Sequence, residues 1–339
     1  MTEPPPLKTA LKRGSLVAAA NWPLVAVQFI AESTLKLLLA VPVIGGVFLV
    51  ALLLNADVGE ILAGDIREIV GSVFVALGTN PAALVAFSAA FLLVLLGGSA
   101  LSFAVKGGTV AILAQAETVA GPIERPPLRL ESLRRANLTN IEPFLDGCRR
   151  LWRRYVRLGG CLLLVYGATA VTYLSLIVGG YRLVGNSGIL LGWSVAAAFA
   201  SSVLVVWITL VNVLYLLTQM VVAVDDVSVR AAASRVVQFI RHSLRELAAI
   251  FGVVLLLVVL AMIVDILATA GLGFIAFVPF LGLAVVPLQV AAWIVRGFVF
   301  EYLALTALGA YLTQYRYYIR DRSLADAGDL ERIPGKRLA

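Results

Sequence analysis

Six stretches of this chain, at about 35–54, 82–105, 158–178, 191–222, 247–270 and 278–312, are apolar and long enough to cross the roughly 30 Å hydrocarbon layer of a bilayer. No other feature narrows the fold as far. In lipid the backbone N–H and C=O groups find no water, and an α-helix satisfies them within the segment itself. Composition agrees with this: 61% of residues are hydrophobic, 14% are charged and the mean hydropathy is +0.97. A soluble chain of this size needs more charge to cover its surface. The sequence therefore predicts an all-α membrane protein with six transmembrane helices. The fourth and sixth runs exceed the minimum length and are expected to tilt or to protrude.

Orientation follows from where the basic residues fall. Lys and Arg number three in the N-terminal segment, ten in 106–157, four in 224–246 and six after 313, whereas the opposite loops hold only Arg67 and Arg182. An excess of 23 against two places both termini in the cytoplasm by the positive-inside rule. The same rule accounts for the net charge of +7 without any nucleic-acid partner. Lys8, Lys12 and Arg13 precede an apolar stretch, "GSLVAAA", that Asn21-Trp22-Pro23 cuts short. It is shorter than most signal-peptide cores and reads as a retained N-terminus. Cys148 and Cys161 form neither a disulfide framework nor a metal-ligand spacing, and are expected to be reduced packing thiols.

Cut at its turns, the chain divides into three helical hairpins, each preceded by an amphipathic interfacial helix at about 14–34, 139–157 and 227–246. In the second, Ile141, Phe144, Leu145, Cys148, Leu151, Trp152 and Tyr155 share one face. Arg149, Arg150, Arg153, Arg154 and Arg157 line the other, with Glu142 and Asp146. Such a helix seats its apolar side in the acyl boundary and turns its arginines to lipid headgroups. In the third, Val229, Ala232, Val236, Val237, Ile240, Leu244 and Leu247 oppose Arg230, Arg235, Arg241 and Arg245. There Ser228 suits an N-cap, and Asp225 and Asp226 suit the positive end of the helix dipole. The first carries a polar stripe of Gln28, Glu32 and Lys36. The expected organisation is residues 1–120 for the first hairpin, 121–138 for a proline-containing linker, 139–226 and 227–320 for the other two hairpins, and 321–339 for a disordered tail. An acidic amphipathic helix over 58–77 is expected at the outer turn of the first hairpin.

Aligning the second spans of the hairpins brings "FAVKGGTVAIL" over "WIVRGFVFEYL", with "TLVNVLYLL" at the matching place, so Lys106, Asn212 and Arg296 occupy related positions. A charge near the bilayer centre costs about 2.5–3.5 kcal/mol on insertion scales, so these side chains are expected to face the bundle or a wet cavity. Asp265 and Glu301 are the acids available to them. Glu301 follows Arg296 by five residues, about 140° round a helix, and better suits a neighbouring helix. Three roles fit the set: a buried ion pair that fixes packing, a cavity for an anionic group, or a proton relay through Asp265 and Glu301. The runs Ala100-Ala104-Gly108, Gly192-Ala196-Ala200 and Ser194-Ala198-Ser202 suit close helix packing. Pro42, Pro279 and Pro287 are expected to bend or start helices.

Enzyme signatures are absent. The single histidine, His242, gives little material for a triad or a His-based metal site. "GLGFIA" at 271–276 imitates a dinucleotide fingerprint but follows no strand. No cofactor is implied.

The stretch "VAVDDVSVRAAASRVVQFIRHSLRELAAIFGVVLLL" resembles a prokaryotic family of six-span proteins related to the membrane domain attached to some glycerophosphodiester phosphodiesterases. In that family an acidic turn introduces an amphipathic helix and then the next span. The resemblance implies the hairpin architecture over most of the chain. It carries over no phosphodiesterase activity, because the soluble catalytic barrel has no counterpart here. The reading that results is a non-enzymatic, multi-pass protein of the bacterial cytoplasmic membrane that engages anionic lipids or a lipid-like anionic ligand, with a protein partner or a second copy as a further possibility. A secondary transporter with the buried charges on its path, and a membrane scaffold or assembly factor, are the alternatives.

Overall fold

The computed structural model describes residues 5–54, 78–127, 130–184, 190–276 and 281–331. Every regular element among them is an α-helix: α1 (Leu7–Ala20), α2 (Trp22–Leu54), α3 (Pro81–Val119), α4 (Leu130–Ala136), α5 (Ile141–Val184), α6 (Leu190–Asp225), α7 (Val229–His242), α8 (Leu244–Ala276) and α9 (Leu281–Glu331). Six of them, α2, α3, α5, α6, α8 and α9, are long and apolar enough to cross a membrane. The helix expected over 58–77, and Pro279, lie outside the described residues.

Several boundaries differ from the sequence expectation. The first lead-in is α1, broken from α2 at Asn21 rather than running through 34. Pro23 falls in the first turn of α2, where its missing N–H has no helical partner to lose. The third lead-in, α7, is separated from α8 at Ser243. The second has no such break: α5 runs for 44 residues from the arginine-rich segment into the apolar one. The tail is helical as far as Glu331, since α9 meets no proline after Pro287 in its own length. The linker contains the short helix α4. Pro42 and Pro287 sit inside α2 and α9.

The chain forms two compact units. One, Val27–Val105, contains most of α2 and the first part of α3. There the Leu35 side chain covers Gly98, and the Phe87 ring covers Gly46. Gln28 Nε2 donates to Glu32 Oε1 at 3.4 Å, so two members of the expected polar stripe pair along the helix.

The other unit holds residues 1–26 and 106–339. Its buried side chains gather at the basic ends of the long helices: Val17, Leu113, Tyr155, Met220, Phe239, Ile250, Leu308 and Tyr315 are almost fully enclosed. The middles of the apolar runs are open, as at Leu164 and Leu267, which is where lipid would take the place of protein neighbours. Helices of 39 to 51 residues, about 58 to 76 Å long, are about two to two and a half times the thickness of the hydrocarbon layer, and their surplus supplies this core.

Three basic segments each pack on a long helix. α1 lies on α9, α7 on α6, and the start of α5 on the end of α3. Two of these crossings bring backbone onto backbone. A Cβ on Gly14 would lie 2.5 Å from the Thr306 carbonyl oxygen, and one on Gly309 would lie 2.8 Å from Gly14 Cα. A Cβ on Gly147 would lie 2.9 Å from Ala111 Cβ and 3.2 Å from Gly108 Cα. Gly108 is the end of one predicted small-residue run, so that signal marks a real close approach.

Candidate functional site

Two of the sequence-predicted residues inside the apolar helices pair with each other, and a third pairs elsewhere. Arg296 on α9 meets Asp265 on α8, with Nη1 3.1 Å from Oδ2. The pair joins neighbouring helices. The Arg296 side chain keeps 52% of its surface open, against 21% for Asp265. Asn212 on α6 is taken by a residue of α5: Tyr166 Oη donates to Asn212 Oδ1 at 2.6 Å. Lys106 and Glu301 are both partly enclosed, on α3 and α9. The structure thus gives Asn212 and Arg296 different partners on different helices, rather than one shared polar cluster.

Two further contacts extend the Asn212 pair along the α5–α6 interface. Trp207 Nε1 donates to Thr169 Oγ1 at 3.1 Å, and the hydroxyls of Tyr173 and Ser201 are 2.7 Å apart. Three hydrogen bonds in file thus link the two apolar helices, alongside their packing. Tyr166, Thr169 and Tyr173 fall at helical spacing on α5, a polar stripe the sequence reading did not pick out.

The densest charge network lies at the basic end, at residues the sequence reading did not single out. Glu117, near the end of α3, is 5% exposed. Its Oε1 is 2.9 Å from Arg13 Nε on α1, and its Oε2 is 2.7 Å from Arg316 Nε on α9. Arg13 Nη1 also meets Glu124 Oε2 at 2.8 Å, while Nη2 donates to the Glu117 carbonyl at 2.8 Å. Arg316 Nη2 donates to the Ala114 carbonyl at 2.7 Å. One carboxylate thereby ties together the first helix, the third and the last. The signal available in sequence was a lone acid in "AQAETVA", followed by the proline-containing linker.

Asn21 is the second missed residue, fully buried at the break between α1 and α2. Its Nδ2 donates to the carbonyls of Val17 (3.0 Å) and Ala136 (2.8 Å). Its Oδ1 accepts from Leu138 N and Thr139 Oγ1, both at 3.0 Å. All its hydrogen-bonding capacity is used, and it ends one helix while fixing the entry to another.

The acidic turn before α7 is more committed than dipole partnership requires. Ser228 is the N-cap, its Oγ accepting from Ala231 N. Asp225 pairs with Arg235 and accepts from Tyr315 Oη at 2.7 Å, and Asp226, at φ +53°, pairs with Arg154. The Asp225 contact raises the Arg235 pKa further above its ordinary value. Arg154 and Arg235 are therefore occupied within the protein.

The remaining surface arginines, Arg149, Arg150, Arg153, Arg157, Arg230, Arg241 and Arg245, are all exposed and have no carboxylate partner among the described residues. On α5 the face expected to enter the acyl boundary is divided. Gly147, Leu151, Tyr155 and Leu158 are buried against protein, where Tyr155 Oη donates to the Gln219 carbonyl at 2.8 Å. Ile141, Leu145 and Trp152 stay open beside the arginines. On α7 the buried face is Ala232, Val236 and Phe239, and Val237 is exposed. Phe239, absent from the predicted stripe, stacks edge-on against Tyr315 with ring centroids 5.1 Å apart.

No protein-family model matches the chain, and neither a characterised protein nor a solved structure matches it at a significant level.

Proposed function

We propose that the chain is a non-enzymatic, multi-pass protein of the bacterial cytoplasmic membrane that engages anionic lipid headgroups on the inner leaflet. In this reading α2–α3, α5–α6 and α8–α9 are three hairpins with both termini in the cytoplasm. The start of α5 rests on the end of α3, α7 on α6 and α1 on α9. The resemblance to six-span membrane domains implies the hairpin architecture.

The observation that carries the lipid reading is the outer surface of α5. Arg149, Arg150, Arg153 and Arg157 are exposed there next to Ile141, Leu145 and Trp152, while a separate face of the same helix holds it to the protein. An apolar strip beside a basic strip is the arrangement that binds a headgroup–acyl boundary. Each such cation near an anionic leaflet contributes about 1 kcal/mol, and the contribution falls with salt. Replacing Arg149, Arg150, Arg153 and Arg157 by glutamine is expected to lower the ratio of phosphatidylglycerol to phosphatidylethanolamine retained through purification, measured by native mass spectrometry. An unchanged ratio would overturn the reading.

The Arg296–Asp265 pair favours a second reading, secondary transport of an anion, because an arginine half open within an apolar helix offers a charge to a passing ligand. Proteoliposomes would then show anion uptake that Arg296→Gln abolishes.

A further inference from the structure

We propose a phosphate-binding site in the cavity between α1, the end of α3, the linker and α9. The cavity has a volume of about 810 Å³ and is lined by Arg13, Arg125, Arg316 and Arg320, with Glu117 and Glu124 as its acids. A volume of this order suits a small ligand. Both carboxylates are already engaged, Glu117 by Arg13 and Arg316, Glu124 by Arg13. They leave Arg125 and Arg320 exposed and with no carboxylate partner among the described residues. Arg320 instead lies 5.7 Å from the centroid of the Tyr317 ring, another residue of the cavity wall.

The chemistry of this wall selects the ligand class. Guanidinium groups in fixed positions match the tetrahedral oxygens of a phosphate by paired, charge-assisted hydrogen bonds. Glu117 fixes two of the four before any ligand arrives, which lowers the ordering cost of binding. The other two come from separate segments, the linker and the last helix, so a phosphate would bridge them. Glu117 lies twelve residues past the apolar run ending at 105, about 18 Å of helix. A free phosphate compound in the cytoplasm and the headgroup of a phosphate monoester lipid carry the same recognition chemistry, and the experiment separates them. The site is distinct from the α5 surface invoked for lipid engagement, so each stands or falls on its own variants.

The test uses the full chain in phosphatidylcholine nanodiscs. Inorganic pyrophosphate is titrated calorimetrically at fixed ionic strength, and in parallel the thermal midpoint is compared between plain discs and discs containing phosphatidic acid. Binding of pyrophosphate supports the site with a soluble ligand; stabilisation by phosphatidic acid alone supports it with a lipid headgroup. In either case the double variant Arg125→Gln, Arg320→Gln, which leaves the Glu117 network whole, should weaken the response about a hundredfold, and Arg245→Gln should not. No response to either probe, or an undiminished response in the double variant, would overturn the proposal.

Discussion

Replacing Glu117 by glutamine keeps the shape of the side chain and removes the one charge that joins α1, α3 and α9. Two guanidiniums lie against that carboxylate, at 2.9 and 2.7 Å. At a charge separation of about 4 Å and an effective dielectric of about 20, each attraction is about 4 kcal/mol, most of which offsets the desolvation of the ions. Breaking such a buried arrangement from one side costs about 3–5 kcal/mol, because the cations remain enclosed without their partner. Arg13 keeps Glu124, and the Arg316 side chain is 31% open to solvent, so both recover part of the loss. The expectation is therefore the low end, about 3 kcal/mol, or a fall of about 4 °C in the thermal midpoint of a 339-residue chain. Tryptophan fluorescence of the protein in nanodiscs reads this out. Glu131→Gln, which removes a fully surface-exposed pairing with Arg135, is the control and should move the midpoint little. Combining Glu117→Gln with Arg13→Gln should cost less than the two separately, since each removes the other's grievance against burial. If Glu117→Gln melts where the Glu131 variant does, the reasoning about the network is wrong.

Other outcomes follow from single contacts. Gly14→Ala forces a methyl against the backbone of α9 and should destabilise by about 1–3 kcal/mol, seen as a lower midpoint and earlier proteolysis of α1. Asn21→Leu strands the Leu138 amide and the Ala136 carbonyl in a buried place, with a loss of about 2–4 kcal/mol by the same assay. Tyr155→Phe removes one buried hydrogen bond to the Gln219 carbonyl and should cost about 1 kcal/mol. Asp265→Asn leaves Arg296 without its anion, and Asp265→Asn with Arg296→Gln should be better tolerated than Asp265→Asn alone, measured as the yield of folded protein in mild detergent.

The helices were legible in the sequence because lipid permits so few solutions. A twenty-residue apolar run states its own secondary structure. Which helix each lead-in rests on was not legible. Gly14 stands alone in "KRGSLV", and nothing local pairs it with Gly309, nearly three hundred residues away. Glu117 and Asn21 were missed for the same reason: their partners are brought from other segments, and a lone polar residue has no period. Asp265 and Arg296 were visible as exceptions in apolar surroundings, and the pairing between them holds. That Asn212 would accept from Tyr166 on the adjacent helix was not legible. Among the basic residues, composition could not tell Arg154 and Arg235, which the aspartates of the 225–226 turn hold, from the neighbours left open on the same faces.

Sidedness is the most direct test of the whole account. In a background with Cys148 and Cys161 replaced by serine, single cysteines at Lys12, Arg135, Arg230 and Arg182 would be exposed to a membrane-impermeant maleimide in intact cells. The account predicts that only the cysteine at 182 is labelled, and that the other three react once the membrane is opened. Labelling at 135 or 230 in intact cells would contradict it.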